Sequence, residues 1–132
     1  MRLLLDSQAF ILILQRPDSL GSAARNAIID PNNEIFLSLV TPIELQIKVN
    51  LKKLSFAKSV REHVQFELDR EKFKLLPITL DHIDALSHLP SHHRDPFDRL
   101  LIAQAIHENL TIITSDQTIS RYPVSTLWNT PR

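Results

Sequence analysis

A chain of 132 residues with 43% apolar side chains is the size of one domain, residues 1–132, and buries a sizeable core without a staple. The absence of cysteine excludes disulfides, thiolate metal sites and a cysteine nucleophile, and a single glycine excludes glycine-rich phosphate loops. Lys+Arg and Asp+Glu are both 15, so bulk charge draws in no polyanion; local patches or bound cations must do so if one binds.

The N-terminal run LLLDSQAFILIL is interrupted by Asp6 and lacks a small-residue cleavage site, so it does not read as a signal peptide. No apolar stretch is long enough for a membrane span. Together with the lack of cysteine, this suits a cytoplasmic protein with no membrane partner.

Residues 2–5 (RLLL) form a short apolar run ending at Asp6, as expected for a buried strand. Phe10, Ile11, Ile13 and Leu14 follow as an apolar helix closed by Arg16-Pro17. Their packing falls mainly to the core. Ser22 to Ile29 reads as a second helix, stopped by Asp30-Pro31-Asn32-Asn33, and Glu34 to Leu39 alternates as a strand. Thr41-Pro42-Ile43-Glu44 opens a helix with threonine at the N-cap, proline at the first position and glutamate three residues on. Ser59 to Glu71 is an amphipathic helix, Phe73 to Ile78 a short strand, and Thr79 starts another helix. Asp95-Pro96-Phe97-Asp98 repeats the cap-proline-x-acid pattern before an apolar helix expected to be central. Leu110 to Ile113 is a buried strand; a short helix near Gln117–Arg121 and a strand from Val124 to Trp128 complete the chain, with Trp128 in the core or at the sheet edge. Short strands alternating with helices predict a parallel α/β sheet covered on both faces.

Each acid at these junctions has a structural explanation. Asp6 and Asp116 suit caps after strands, Glu44 a capping box, Asp95 an N-cap and Asp98 the positive end of a helix dipole; a cap contributes ~1 kcal/mol. Their arrangement adds a second explanation. The carboxyl ends of parallel strands share one edge, where ligands bind. Asp6, Glu44, Asp98 and Asp116 converging there would repel one another by roughly 4 kcal/mol per pair at ~4 Å and an effective dielectric near 20. A bound hard cation such as Mg²⁺ or Mn²⁺ relieves that repulsion, and such a cation suits phosphodiester hydrolysis.

Three stretches, LLLDSQAFI, TPIELQIKVNLKKL and LPSHHRDPFDRLLIAQAIHENLTIITSD, with the terminal Arg121-Tyr122-Pro123-Val124 to Leu127-Trp128 pattern, resemble the PIN-domain family, specifically the VapC-like toxins of toxin–antitoxin pairs. The resemblance spans nearly the whole chain in order, and the HHRDPFDRLLIAQA block is its most specific part. It implies a three-layer α/β/α PIN domain with a short, mainly parallel central sheet. It further implies an endoribonuclease dependent on Mg²⁺ or Mn²⁺, hydrolysing RNA by in-line attack of a metal-activated water. Asp6 and Asp98 match metal ligands, Glu44 an acid that binds metal directly or through water, and Asp116 an acid that helps a second metal or positions water. Ser7 and Thr114 match small hydroxyl positions near the pocket, whereas Gln8 stands where the subgroup often has histidine. A cognate antitoxin and a homodimer are the implied partners. An RNA-processing nuclease without an antitoxin and a non-catalytic interaction domain are the alternatives. A phosphorylation receiver fits less well, since Asp6 has no acidic neighbour and no lysine follows the last strand.

Other polar residues read more plainly. His92 and His93 are adjacent and lack an i+4 partner, which predicts a surface loop, with substrate phosphate as the lesser alternative. Arg94 and Arg99 flank the acids, and Arg99 suits either a salt bridge or an RNA contact. Lys48 is placed to pair with Glu44 at i, i+4. Residues 48–74 carry Lys48, Lys52, Lys53, Lys58, Arg61, Arg70, Lys72 and Lys74 against four acids; this reads as a solvated face, or as a surface for RNA backbone.

Overall fold

In the computed structural model, which describes residues 1–129, five strands form one sheet. They are β1 (Arg2–Leu5), β2 (Glu34–Ser38), β3 (Lys74–Leu76), β4 (Thr111–Ile113) and β5 (Thr126–Leu127). Their order is β3-β2-β1-β4-β5 and every pairing is parallel. Six helices connect them: α1 (Ser7–Gln15), α2 (Ser22–Ile29), α3 (Val40–Asn50), α4 (Val60–Asp69), α5 (Leu80–Leu86) and α6 (Pro96–Glu108).

The sheet is covered on both faces, which explains why β1 and β4 are continuous apolar runs rather than alternating ones. Alternate residues of β1 serve opposite cores. Leu3 and Leu5 pack with Phe10, Leu12, Ala24, Ile35 and Leu37, while Leu4 packs with Leu101, Ile102, Ala105 and Ile112 of the other layer. The helix α6 is the central helix expected from its composition, with Leu101, Ile102, Ala103, Gln104 and Ala105 all buried. Phe10, Ile11 and Leu12 are core residues, and Ile13, Leu14 and Trp128 pack partly buried against them. Trp128 also fixes the C-terminal segment, its carbonyl accepting the Ala24 N–H at 3.2 Å.

The chain winds from β1 outward to β2 and β3, then crosses back to β4 on the other side of β1. That reversal opens a crevice at the carboxyl ends of β1 and β4, the position where open α/β sheets bind ligands.

Local signals moved a few boundaries. The helix α3 starts at Val40, ahead of the predicted Thr41 cap, because the Ser38 hydroxyl accepts the Val40 N–H at 3.0 Å and begins the turn earlier. Thr41 and Glu44 therefore form no capping box. Helix α5 has one instead, with His82 in the role usually taken by glutamate: the Thr79 side chain receives the His82 N–H, and His82 Nδ1 receives the Thr79 N–H at 3.1 Å. The predicted last strand shortens to Thr126–Leu127, and a 3-10 turn at Ile119–Arg121 replaces the short helix before it.

Candidate functional site

Asp6 is the first residue beyond β1, 5% exposed. Its Oδ1 accepts the Ala9 N–H at 2.7 Å, so the residue caps α1 as any strand-to-helix aspartate would. Burial nevertheless pushes its carboxyl up from 3.8 to about 6, against the hydrogen bonds from Thr114 and Ala9, with the charges of Asp116 and Glu44 adding to the rise. Asp98 sits in the first turn of α6, behind Asp95, whose Oδ1 accepts the Phe97 and Asp98 N–H groups at 2.8 and 3.1 Å. Asp95 is thus the N-cap. Asp98 is pushed up to about 7, first by burial and then by the charges of Asp95, Glu44 and Asp6, with His93 opposing.

Asp116 follows β4. Its backbone N–H is held by the Thr114 hydroxyl at 3.0 Å, and its Oδ1 accepts the Thr118 N–H at 2.8 Å. Burial raises its pKa, but the hydrogen bonds of His93 and Thr118 outweigh that and hold it below the usual carboxylate range. Glu44, on α3, is 5% exposed. Its Oε2 takes the Lys48 ammonium at 2.7 Å, the i, i+4 pair expected from the sequence, and its Oε1 is buried with no hydrogen-bond partner. The hydrogen bond and charge of Glu44 raise the Lys48 pKa against partial burial, and Asp95 and Asp98 add to the rise. Asp6, Glu44, Asp98 and Asp116 therefore share one electrostatic neighbourhood at the carboxyl edge of β1 and β4.

His93 does not lie in a plain surface loop. Its Nε2 stands 2.8 Å from Asp116 Oδ2 and 3.1 Å from Asp98 Oδ2, joining two of the acids. Its Nδ1 accepts the Asp95 N–H at 3.1 Å, which in the neutral ring places the proton on Nε2, facing the carboxylates. Adjacency to His92 concealed this role. The usable signal is the placement of His93 two residues before the cap: the Asp95 that starts α6 also turns its own N–H back onto the imidazole.

The loop carrying His93 is pinned by two residues. Tyr122 accepts the His92 and His93 N–H groups at 3.1 and 2.8 Å and donates its hydroxyl to the Pro90 carbonyl at 2.9 Å. Arg99 donates to the Pro90 carbonyl at 3.0 Å and lies 3.4 Å from the His93 carbonyl. Arg99 is accordingly a loop clamp rather than one arm of an ion pair. Tyr122 stands in the terminal Arg121-Tyr122-Pro123-Val124 pattern, which does not disclose that its hydroxyl pins this loop. Of the small hydroxyls, Ser7 is buried and shares a hydrogen bond with Thr41 at 3.2 Å, tying α1 to α3 beside Asp6. Thr114 is buried between Asp6 and Asp116 and bonds to both. Gln8 is exposed and lines a cleft alongside α1.

These residues fit a divalent cation. The donors are carboxylate oxygens, the ligand class of Mg²⁺ and Mn²⁺. Two of them are forced toward protonation in its absence, and Glu44 Oε1 is a buried acceptor with nothing to accept. A buried polar atom left unpaired costs roughly 1–3 kcal/mol, and a cation held among these acids would give Glu44 Oε1 its partner.

Solved structures share the fold across nearly the full chain. A chain of the VapBC2 complex of Rickettsia felis, bound to a fragment of its promoter DNA, matches with a TM-score of 0.73 at 17% identity, covering 98% of this chain and 100% of that one. VapBC-1 of nontypeable Haemophilus influenzae matches with a TM-score of 0.58 at 20% identity, covering 96% of each chain. VapBC-5 of Mycobacterium tuberculosis, from a family of toxin–antitoxin systems, matches with a TM-score of 0.57 at 19% identity, covering 95% of this chain and 94% of that one. No curated protein sequence matches significantly. The PIN domain family matches residues 3–124, from within β1 to just before β5. The chain belongs to the PIN-domain family.

Proposed function

We propose that this PIN domain is a Mg²⁺- or Mn²⁺-dependent endoribonuclease and the toxin of a toxin–antitoxin pair, acting in the cytoplasm. The observation that carries the reading is the convergence of Asp6, Glu44, Asp98 and Asp116 in a crevice where Glu44 Oε1 has no partner and Asp6 and Asp98 are held near neutrality. A protein gains no stability from such a pocket, so the energetic cost is evidence of use.

Asp6 and Asp98 are the principal metal ligands, with Asp116 and Glu44 completing the set. The cation, when bound, neutralises phosphate charge and acidifies a water for in-line attack. The chain's own residues prepare the site. Asp6 keeps one oxygen on the Ala9 N–H and so presents the carboxylate in a fixed orientation. Thr114 spans Asp6 and Asp116 and fixes their separation. The His93 Nε2–H holds Asp98 and Asp116 together against their repulsion. Lys48 bonds Glu44 at Oε2 and so orients its carboxylate.

The antitoxin and a homodimer are the partners in this reading; the likeness in fold to VapBC toxin–antitoxin complexes supports the antitoxin. Incubation of the purified chain with RNA and Mn²⁺, Mg²⁺ or chelator, beside Asp98→Asn, tests the activity. The wild type cleaves only with metal and the variant does not. Equal cleavage by both, or cleavage in chelator, rules out the metal-site assignment. Growth arrest on expression, relieved by the product of an adjacent reading frame, tests the toxin role.

A further inference from the structure

We propose that the cleft between α1 and the end of α3 holds the phosphate backbone of the RNA strand beside the scissile bond, with Arg16, Lys48 and Lys53 as its contacts. This rests on the nuclease reading above and adds a substrate-binding surface to it.

The cleft measures about 340 Å³, enough for a nucleotide-sized group. It is lined by Gln8, Gln15, Arg16, Lys48 and Lys53 over an apolar floor of Ile11, Leu12 and Leu54. Three cations line it; Lys48 is already paired with Glu44 at 2.7 Å, while Arg16 and Lys53 form no ion pair among the described residues and carry the excess positive charge. A cavity with that imbalance attracts an anion, and its neutral amides supply further donors to phosphate and ribose oxygens.

Two residues connect the cleft to the acids. Lys48 lines it and also bonds Glu44 Oε2 at 2.7 Å, so the cation stands at the border between the two sites. Gln8 follows Asp6 and Ser7 in the first turn of α1 and projects from the buried pocket into the exposed cleft. A strand whose scissile phosphate lies among the acids is thereby offered positive charge for an adjacent phosphate.

The backbone places Lys53 deliberately. Helix α3 ends in a Schellman motif: the Lys53 N–H returns to the Lys48 carbonyl at 2.9 Å and the Lys52 N–H to the Val49 carbonyl at 3.0 Å. Lys52 adopts the left-handed conformation this requires, with φ of 59°, at a position where glycine is favoured. The motif folds Lys53 back beside Lys48 instead of letting it continue along the helix axis.

The same comparison separates this cleft from the rest of the basic 48–74 region. Lys74 pairs with Glu34 at 2.7 Å, Arg70 lies over the Phe66 ring and 3.8 Å from Glu67, and Lys72 lies over Phe73. These three cations are engaged locally, and Lys52, Lys58 and Arg61 do not line the cleft. Of that run, Lys48 and Lys53 line the cleft, and Arg16 joins them from a different element.

The test is steady-state cleavage of a single-stranded RNA oligonucleotide by the full chain with Mn²⁺, across a salt series. The wild type is compared with the Arg16→Ala/Lys53→Ala double variant and with Lys53→Arg. The double variant should raise KM about tenfold at low salt and change kcat less than about twofold. Its log–log salt dependence of kcat/KM should be shallower by about 0.7 for each phosphate contact removed. Lys53→Arg should stay near wild type. If the double variant fails to fold, Arg16→Gln and Lys53→Gln measured singly carry the same expectation at smaller size. Unchanged KM and salt slope in a variant, with active wild type, overturn the cleft assignment and leave the nuclease reading standing; the cations would then suit an acidic segment of a protein partner. A wild type that cleaves no RNA with either metal overturns both.

Discussion

Replacing Asp6 with asparagine should stabilise the metal-free protein. The carboxyl is raised from 3.8 to about 6, with burial as the leading cause. The folded state therefore binds this proton more tightly than the unfolded state. The associated stability is fully present below pH 3.8 and is lost as pH rises through about 6. Each pKa unit corresponds to ~1.4 kcal/mol, so an ionised Asp6 costs the fold about 3 kcal/mol at pH 8. Asparagine removes that charge while its Oδ1 can still accept the Ala9 N–H now held at 2.7 Å. That figure is already net of the Thr114 and Ala9 hydrogen bonds to the ionised form, so the gain should approach about 3 kcal/mol. Urea unfolding in chelator, at pH 8 and pH 5, measures it. The Asp6→Asn protein should be the more stable at pH 8, and the gap should shrink to about half or less at pH 5, where much of wild-type Asp6 is already protonated. A variant no more stable than wild type at pH 8, or a gap that ignores pH, would refute burial as the cause of the shift.

Saturating Mn²⁺ should raise the wild-type melting temperature by several degrees at pH 8, since ligand at ~100 times its Kd contributes about 2.7 kcal/mol. The gain should fade toward pH 5.5 as protons on Asp6 and Asp98, held near 6 and 7, compete with the cation, and Asp98→Asn should abolish it. His93→Ala should weaken Mn²⁺ binding by about 10- to 100-fold, with His93→Gln recovering much of the loss because an amide N–H can still reach the carboxylates. Electron paramagnetic resonance of the Mn²⁺-loaded wild type should show no directly bound nitrogen, since Nδ1 is engaged by the Asp95 N–H and Nε2 carries the proton. Gly21→Ala should cost about 3 kcal/mol in a denaturation experiment, because its Cβ would meet the Asn129 and Trp128 carbonyl oxygens at 1.8 and 2.2 Å.

The sequence discloses some of this architecture better than the rest, for identifiable reasons. β1, β4 and α6 are legible because they are buried on all sides and their apolar runs have no polar face to confuse the period. Asp6, Glu44, Asp98 and Asp116 are legible because the ends of strands and the first turns of helices are fixed by chain order, and parallel topology sends them to one edge. The start of α3 was misplaced because Thr41-Pro42-Ile43-Glu44 satisfies every local rule for a cap, and the competing Ser38 hydroxyl belongs to the strand before it. His93, Tyr122 and Arg99 were missed or left open for a different reason. Their roles arise from contacts between residues up to 32 apart across an irregular loop, and no periodicity records such a loop.

The structural and functional explanations of the acids turn out to divide the carboxylate between them. Asp6 caps α1 with Oδ1, and Asp116 accepts the Thr118 N–H with Oδ1 while its Oδ2 faces His93. One oxygen of each is spent on the backbone, which fixes the orientation of the other. Glu44 follows the same division through a side chain, with Oε2 on Lys48 and Oε1 unpaired. Asp95 shows the contrast: its Oδ1 receives both the Phe97 and Asp98 N–H groups, and it is a cap in full. A cap alone needs no buried neighbour of like charge, and a metal site alone needs no bond to the following helix. In the proposed metal site the same backbone bonds would hold the ligand oxygens in a fixed orientation. The backbone N–H groups of α1 and of the turn at Thr118, with Lys48 and His93, offset part of the repulsion among the four acids, and a cation in the proposed site would offset the rest.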